Sequence, residues 1–101
     1  MTKILPLQIE DAQPVAEIAG ASFNEPWSVK ESCYFLTHPH RVAVGIFDPQ
    51  RRLLCYFLAL LVQGDLDIIS LATRSERRRQ GLAKEILEHI LQDPLIERAF
   101  L

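Results

Sequence analysis

The sequence predicts one α/β (α+β) domain, a mixed sheet covered by helices in the order β-α-α-β-β-β-α-β. Three observations carry that expectation. The 101 residues, 49% hydrophobic and 24% charged, have the size and composition of a single globular domain with its own core. From Arg41 to Thr73, β-rich runs alternate with short turn signals, the pattern of an antiparallel meander. A strongly amphipathic segment then follows and gives way to apolar residues from Leu95 onward, the pattern of a β-α-β crossover.

Each element has its own warrant. Ile4–Ile9 alternates apolar and polar residues and reads as a first strand, with Pro6 confining it to an edge. Asp11 is placed to cap a first helix, in which Val15, Ile18, Ala19, Ser22 and Phe23 recur at helical spacing. Glu25-Pro26-Trp27 is a loop. Ser28-Val29-Lys30-Glu31 is a capping box, so a second short helix starts there and ends before Pro39. Arg41–Asp48 is a strand and Asp48-Pro49-Gln50-Arg51 a turn. Leu53–Val62 is apolar throughout; the turns flanking it favour a strand over a helix. Gln63-Gly64-Asp65 forms another turn and Leu66–Thr73 the next strand. In the third helix, Leu82, Ala83, Ile86, Leu87, Ile90 and Leu91 share one face, with Lys84, Glu85, Glu88 and Gln92 outside. Asp93-Pro94 ends it.

The composition also excludes classes. The longest apolar run, Leu53–Val62, is too short to span a bilayer. Met1–Ile9 has one Lys, a central Pro and no small-residue cleavage site, so it does not read as a signal peptide. Cys33 and Cys55 are isolated thiols, which fits a reducing cytoplasm and offers neither a disulfide framework nor a four-ligand metal site. The net charge is −2, but residues 74–84 carry Arg74, Arg77, Arg78, Arg79 and Lys84 against Glu76 alone. A local basic loop on an otherwise acidic chain points to one anionic group of a ligand rather than to a nucleic-acid face or a membrane.

That loop contains the chemistry. Arg78-Arg79-Gln80-Gly81-Leu82-Ala83 joins a strand to a helix. The first amides of the helix lack internal partners, the helix dipole adds positive character, and Gly81 has no Cβ to hold a ligand away. With flanking Arg side chains this makes a pyrophosphate cradle. It is neither a P-loop nor the three-glycine dinucleotide fingerprint.

Arg78-x-x-Gly81-x-Ala83 after an apolar strand resembles the acetyl-coenzyme A signature of the GNAT acyltransferases, Gln/Arg-x-x-Gly-x-Gly/Ala. Pro26-Trp27-Ser28, Leu71-Ala72-Thr73, and Arg79-Gln80-Gly81-Leu82 followed by Leu87-Glu88-His89 are similar to the RimI-like branch, the ribosomal-protein-alanine N-acetyltransferases. The resemblance implies that Leu71, Ala72 and Thr73 pair with the pantetheine arm on a strand that carries a bulge, with Thr73 where the family usually has Val. It implies that Arg78, Arg79, Gln80, Gly81, Leu82, Ala83 and Lys84 hold the pyrophosphate, and that no metal is needed. The implied reaction is direct attack of an amine on the acetyl thioester, the amine being the α-amino group of an N-terminal alanine on a small-subunit ribosomal protein. An α-amino pKa of about 8 asks only for a modest base. The family's Glu base and Tyr acid fall on segments expected beyond Leu101, so no catalytic residue is assigned. Residues 1–101 are thus expected to be the coenzyme-binding part of a GNAT domain with the last strand cut short. Its sheet edge, and the apolar faces of the third helix and central strand, are expected to lack cover and to favour self-association.

Plainer readings stand beside these. Arg77–Arg79 taken alone would be a solvated charge run. Trp27 is either a core anchor or part of an acceptor-peptide groove. Ser28 reads as a helix cap rather than a nucleophile, and His38 and His40 as a polar turn rather than metal ligands. His89 lies at the border of its helix. The two thiols in apolar surroundings should be inert. Asp65 and Asp67 read as solvent-facing, with an acceptor role as the sharper alternative. Rival functions are a GNAT acting on a small-molecule amine, a non-catalytic polyanion-binding module, and a fragment completed by a partner.

Overall fold

A computed structural model describes residues 1–101. The strands β1 (Lys3–Pro6), β2 (Arg41–Phe47), β3 (Leu53–Val62), β4 (Asp65–Thr73) and β5 (Arg98–Phe100) form one sheet in sequence order. The first four are antiparallel neighbours, and β5 runs parallel to β4. The helices are α1 (Ala12–Ser22), α2 (Val29–Phe35) and α3 (Leu82–Leu91), so the order read from the sequence holds throughout.

The hairpins arise from local chemistry. At the β2–β3 turn the Asp48 carboxylate accepts from the amides of Gln50 and Arg52, both at 2.9 Å. The β3–β4 turn is the pair Gln63-Gly64, with φ of 50° and 84°, the twist that suits a two-residue hairpin. Asp65 already belongs to β4 and is not part of the turn. At the start of α2 the Ser28 hydroxyl accepts from the Glu31 amide at 3.1 Å, and the Glu31 carboxylate accepts from the Ser28 amide at 2.9 Å. This is the capping box read from the sequence.

α1 and α2 pack on one face of the sheet against Phe47, Leu53, Tyr56 and Leu58. α3 packs on the other through Leu82, Ile86 and Ile90, against Ile46, Leu54, Phe57 and Leu66. Burying a large apolar side chain contributes about 1.5–3 kcal/mol. The central strand β3 concentrates that gain, because Leu53 through Ala59 are all buried to 1% exposure or less.

Several expectations need correction. The central strand does not lack cover, since helices sit on both of its faces. The apolar stripe of α3 is also covered, except for Leu91, which is exposed at its last turn. β1 runs only to Pro6, beyond which the Leu7 amide still donates to the Ala43 carbonyl at 2.9 Å, and Ile9–Asp11 is a 3-10 turn. Asp11 stands at the start of α1, but its side chain makes no capping bond to that helix. Its carboxylate instead accepts from the Gln8 amide at 2.7 Å and from Arg51 at 3.2 Å. β5 is confined to Arg98–Phe100 and is exposed along its length.

Candidate functional site

β5 lies beside only Asp65, Leu66 and Asp67. From Ile68 to Thr73, β4 has no strand on that side. Within this open stretch the β3–β4 register slips between Leu58 and Ala59. Leu58 faces Ser70 and Ala59 faces Ile68, so Ile69 is an inserted residue, a bulge on β4. The bulge implied by the resemblance is therefore present.

The open edge of β4 leads into a cleft of about 580 Å³ that also receives the end of α1 and the start of α3. Leu71, Ala72 and Thr73 line it from the strand; Arg78, Arg79, Gly81, Leu82, Ala83 and Lys84 line it from the loop and helix. Nine of the ten residues singled out for the coenzyme thus meet around one cavity. The tenth, Gln80, is not in its lining; its carboxamide accepts from Arg77 Nε at 2.9 Å and steadies the loop. Arg77 itself does line the cleft.

The start of α3 presents its backbone. The Glu85 amide bonds the Gly81 carbonyl at 2.9 Å, so the amides of Leu82, Ala83 and Lys84 precede the first helical bond and have no partner within the helix. Gly81 sits at the cap with φ of 80°, a conformation costly to any residue with a Cβ. No atom lies within 4 Å of where that Cβ would be, so the space is open to a ligand. Unpaired amides, the positive end of the helix dipole and exposed Arg79 and Lys84 give this end of the cleft the chemistry that suits an anion.

The five basic residues of the segment do not play one role. Arg74 is a structural residue: its Nε donates to the Leu53 carbonyl at 2.5 Å and its guanidinium pairs with Glu17 at 3.7 Å. Arg78 bridges the cleft, donating to the Thr73 carbonyl at 3.3 Å and to the Ser22 hydroxyl at 3.1 Å. Glu76, the lone acid, pairs with Arg52 at 3.0 Å. Its own backbone amide first, and then Arg52, hold its carboxyl below the usual range. Ala21, Ser22 and Phe23 at the end of α1 also line the cleft. Nothing in their spacing distinguished them from the helix's other residues; only the tertiary fold brings them to α3.

The other candidates resolve simply. Burial pushes the Cys55 thiol above its ordinary value of 9.0, partly offset by the Thr73 hydroxyl donating to its sulfur at 3.3 Å. The His40 amide donates to His38 Nδ1 at 3.0 Å, closing a polar turn. His89 is exposed. Asp65 pairs with Arg98 at 3.0 Å and Asp67 faces solvent. Trp27 packs on Phe35 with ring centroids 5.4 Å apart and also lines a second, smaller cavity, so both of its readings survive. No group of three or more His, Cys, Asp or Glu side chains is placed to hold a metal ion. No helix is long and apolar enough to cross a membrane.

The same architecture is found in solved N-acetyltransferases. The ribosomal-protein-alanine N-acetyltransferase of Escherichia coli superposes with a TM-score of 0.82 over 91% of this chain and 58% of its own, at 20% identity. The chain has the GNAT fold. The ribosomal-protein-alanine N-acetyltransferase of Brucella melitensis shares the GNAT fold at a TM-score of 0.78, covering 100% of this chain and 80% of its own at 14% identity. The PaiA N-acetyltransferase of Thermoplasma acidophilum, solved in complex with coenzyme A, does so at 0.77, covering 91% and 70% at 14% identity. This chain therefore spans little more than half the length of the Escherichia coli enzyme. No protein-family model and no curated protein matches the sequence.

Proposed function

We propose that this chain is the acetyl-coenzyme A-binding part of an N-acetyltransferase that acts on an amine. The observation that carries this reading is the continuity of the cleft. The free backbone edge of β4 runs directly into the unpaired amides at the start of α3. An extended pantetheine arm needs the first, and a pyrophosphate needs the second. Leu71, Ala72 and Thr73 hold the arm, while Arg78, Arg79, Gly81, Leu82, Ala83 and Lys84 hold the pyrophosphate, with Gln80 ordering the loop.

The thioester then lies toward the bulge at Ile69. The amine nitrogen attacks the carbonyl carbon, an N–C bond forms, the C–S bond breaks, and the sulfur leaves with a proton. A backbone amide released by the bulge stabilises the oxyanion, where a preorganised donor is most effective. For the acceptor, the Pro26-Trp27-Ser28 match and the two ribosomal-protein-alanine acetyltransferase neighbours support a protein N-terminus, that of a small-subunit ribosomal protein. The two free thiols accord with a cytoplasmic setting.

A general polyanion module is less well supported, because Arg74 is tied into the fold and Arg77, Arg78, Arg79 and Lys84 converge on one cleft. Calorimetric titration separates the two. Acetyl-coenzyme A should bind one to one, with an affinity that changes modestly with salt. Heparin binding with a steep salt dependence, and no heat from acetyl-coenzyme A, would sink the reading.

A further inference from the structure

On the α1–α2 face of the sheet, a second cavity of about 260 Å³ lies beside the coenzyme cleft, and Phe23 lines both. Its walls are apolar, formed by Val15, Ala19, Trp27 and Leu58. Three hydroxyl groups interrupt them: Ser32, Tyr56 and Ser70. Ser32 is fully buried, and its Oγ has no hydrogen-bond partner. A helical serine ordinarily bonds the carbonyl one turn back, as Ser22 does to Ile18 at 2.8 Å. A buried hydroxyl left unpaired is costly and uncommon, and signals a group awaiting a partner. Across the cavity Tyr56 Oη and Ser70 Oγ bond each other at 2.7 Å, and whichever donates, the pair keeps one O–H to spare. The cavity is smaller than the roughly 300–1,000 Å³ of a site for a whole ligand, so it fits a single side chain. Ser70 and Ile69 belong to the bulged stretch of β4, where the thioester is placed.

We propose that this cavity is the specificity pocket for the acceptor, and that it takes a short hydroxyl-bearing side chain, threonine or serine, next to the reacting amine. Ser32 and the Tyr56–Ser70 pair bond the hydroxyl, and the apolar walls enclose the carbon skeleton. Glu25, exposed in the lining, attracts the ammonium group. The inference rests on the acetyltransferase reading, and it departs from the alanine acceptor that the family resemblance implies. A methyl group would leave the Ser32 hydroxyl and the spare O–H of the Tyr56–Ser70 pair unanswered.

Trp27 is the only tryptophan in the chain and lines the pocket, so its emission reports occupancy directly. The test is titration with threonine amide and valine amide, which have the same shape and differ by hydroxyl against methyl. Threonine amide should bind at least about tenfold tighter, since a site built to bond a hydroxyl rejects the analogue lacking it. Ser32→Ala should close that gap and leave acetyl-coenzyme A affinity unchanged. It should also keep or raise the melting temperature, because it removes an unpaired buried hydroxyl; a structural serine would lower it. Tyr56→Phe gives a second, independent reduction of the gap. Equal binding of the two amides, or no response to either, overturns the proposal. A threonine preference in a protein that fails to bind acetyl-coenzyme A would preserve the pocket and reject the acetyltransferase reading.

Discussion

β3 and β4 are adjacent strands of one sheet, yet they are built for opposite purposes. β3 has a hydrogen-bonded neighbour on each side and helices on both faces, and Leu53–Ala59 are withdrawn from water. β4 shares the β3 ladder but has its other edge free from Ile68 to Thr73, with a bulge at its middle. The first strand holds the fold together through its side chains. The second offers unpaired backbone groups to a ligand. Stability and binding are therefore largely separable here, and most substitutions should act mainly on one of the two.

The largest effect should come from β3. Phe57→Ala should cost about 3–5 kcal/mol in a denaturant titration, because a buried aromatic leaves a cavity between β3 and α3. Next, Gly81→Glu should reduce acetyl-coenzyme A affinity by about 100-fold, placing a carboxylate where the phosphates are bound. The open space at its Cβ limits the folding penalty to backbone strain of about 1–2 kcal/mol. In a thermal-shift experiment, the stabilisation of about 2.7 kcal/mol expected at one hundred times Kd should vanish in this variant. Wild-type affinity in Gly81→Glu would break the comparison at its functional end.

The basic segment divides in the same way. Arg74→Ala should cost about 1.5–3 kcal/mol of stability, through its bond to the Leu53 carbonyl, with coenzyme affinity unchanged. Arg79→Ala should lower affinity about tenfold and leave the unfolding midpoint in place. Ser28→Ala, remote from both strands, should cost only about 1 kcal/mol through loss of the cap on α2. A pH series supplies the finest test. Burial raises the pKa of Cys55 above its ordinary 9.0 and that of Tyr56 above its ordinary 10.0. The unfolded chain loses these protons first, so this part of the stability is complete below pH 9 and declines as pH rises above it. Cys55→Ser and Tyr56→Phe should each flatten that decline.

Much of this was legible in the sequence because local patterns and tertiary structure agree. The unbroken apolar run of β3, the Ser28–Glu31 box and the 3.6-residue stripe on α3 each have one structural solution. The loop before Gly81 was legible because its chemistry is backbone chemistry, which a short motif specifies. What was illegible depends on distance along the chain. Arg74 looks like its neighbours in sequence, and only the fold turns it toward Leu53 while leaving Arg79 free. Ser22 reaches Arg78 across 56 positions of sequence. The unpaired Ser32 could not be seen either, because an amphipathic pattern gives the same reading whether a buried serine is bonded or not.

The most direct test is to map backbone amide chemical shifts on adding acetyl-coenzyme A. The open β4 edge and the start of α3 should respond as one site, with the largest shifts at residues 68–73 and 82–84 and little change along 53–59. No response at either segment, or shifts centred on the Gln63–Gly64 turn and β5, would contradict it.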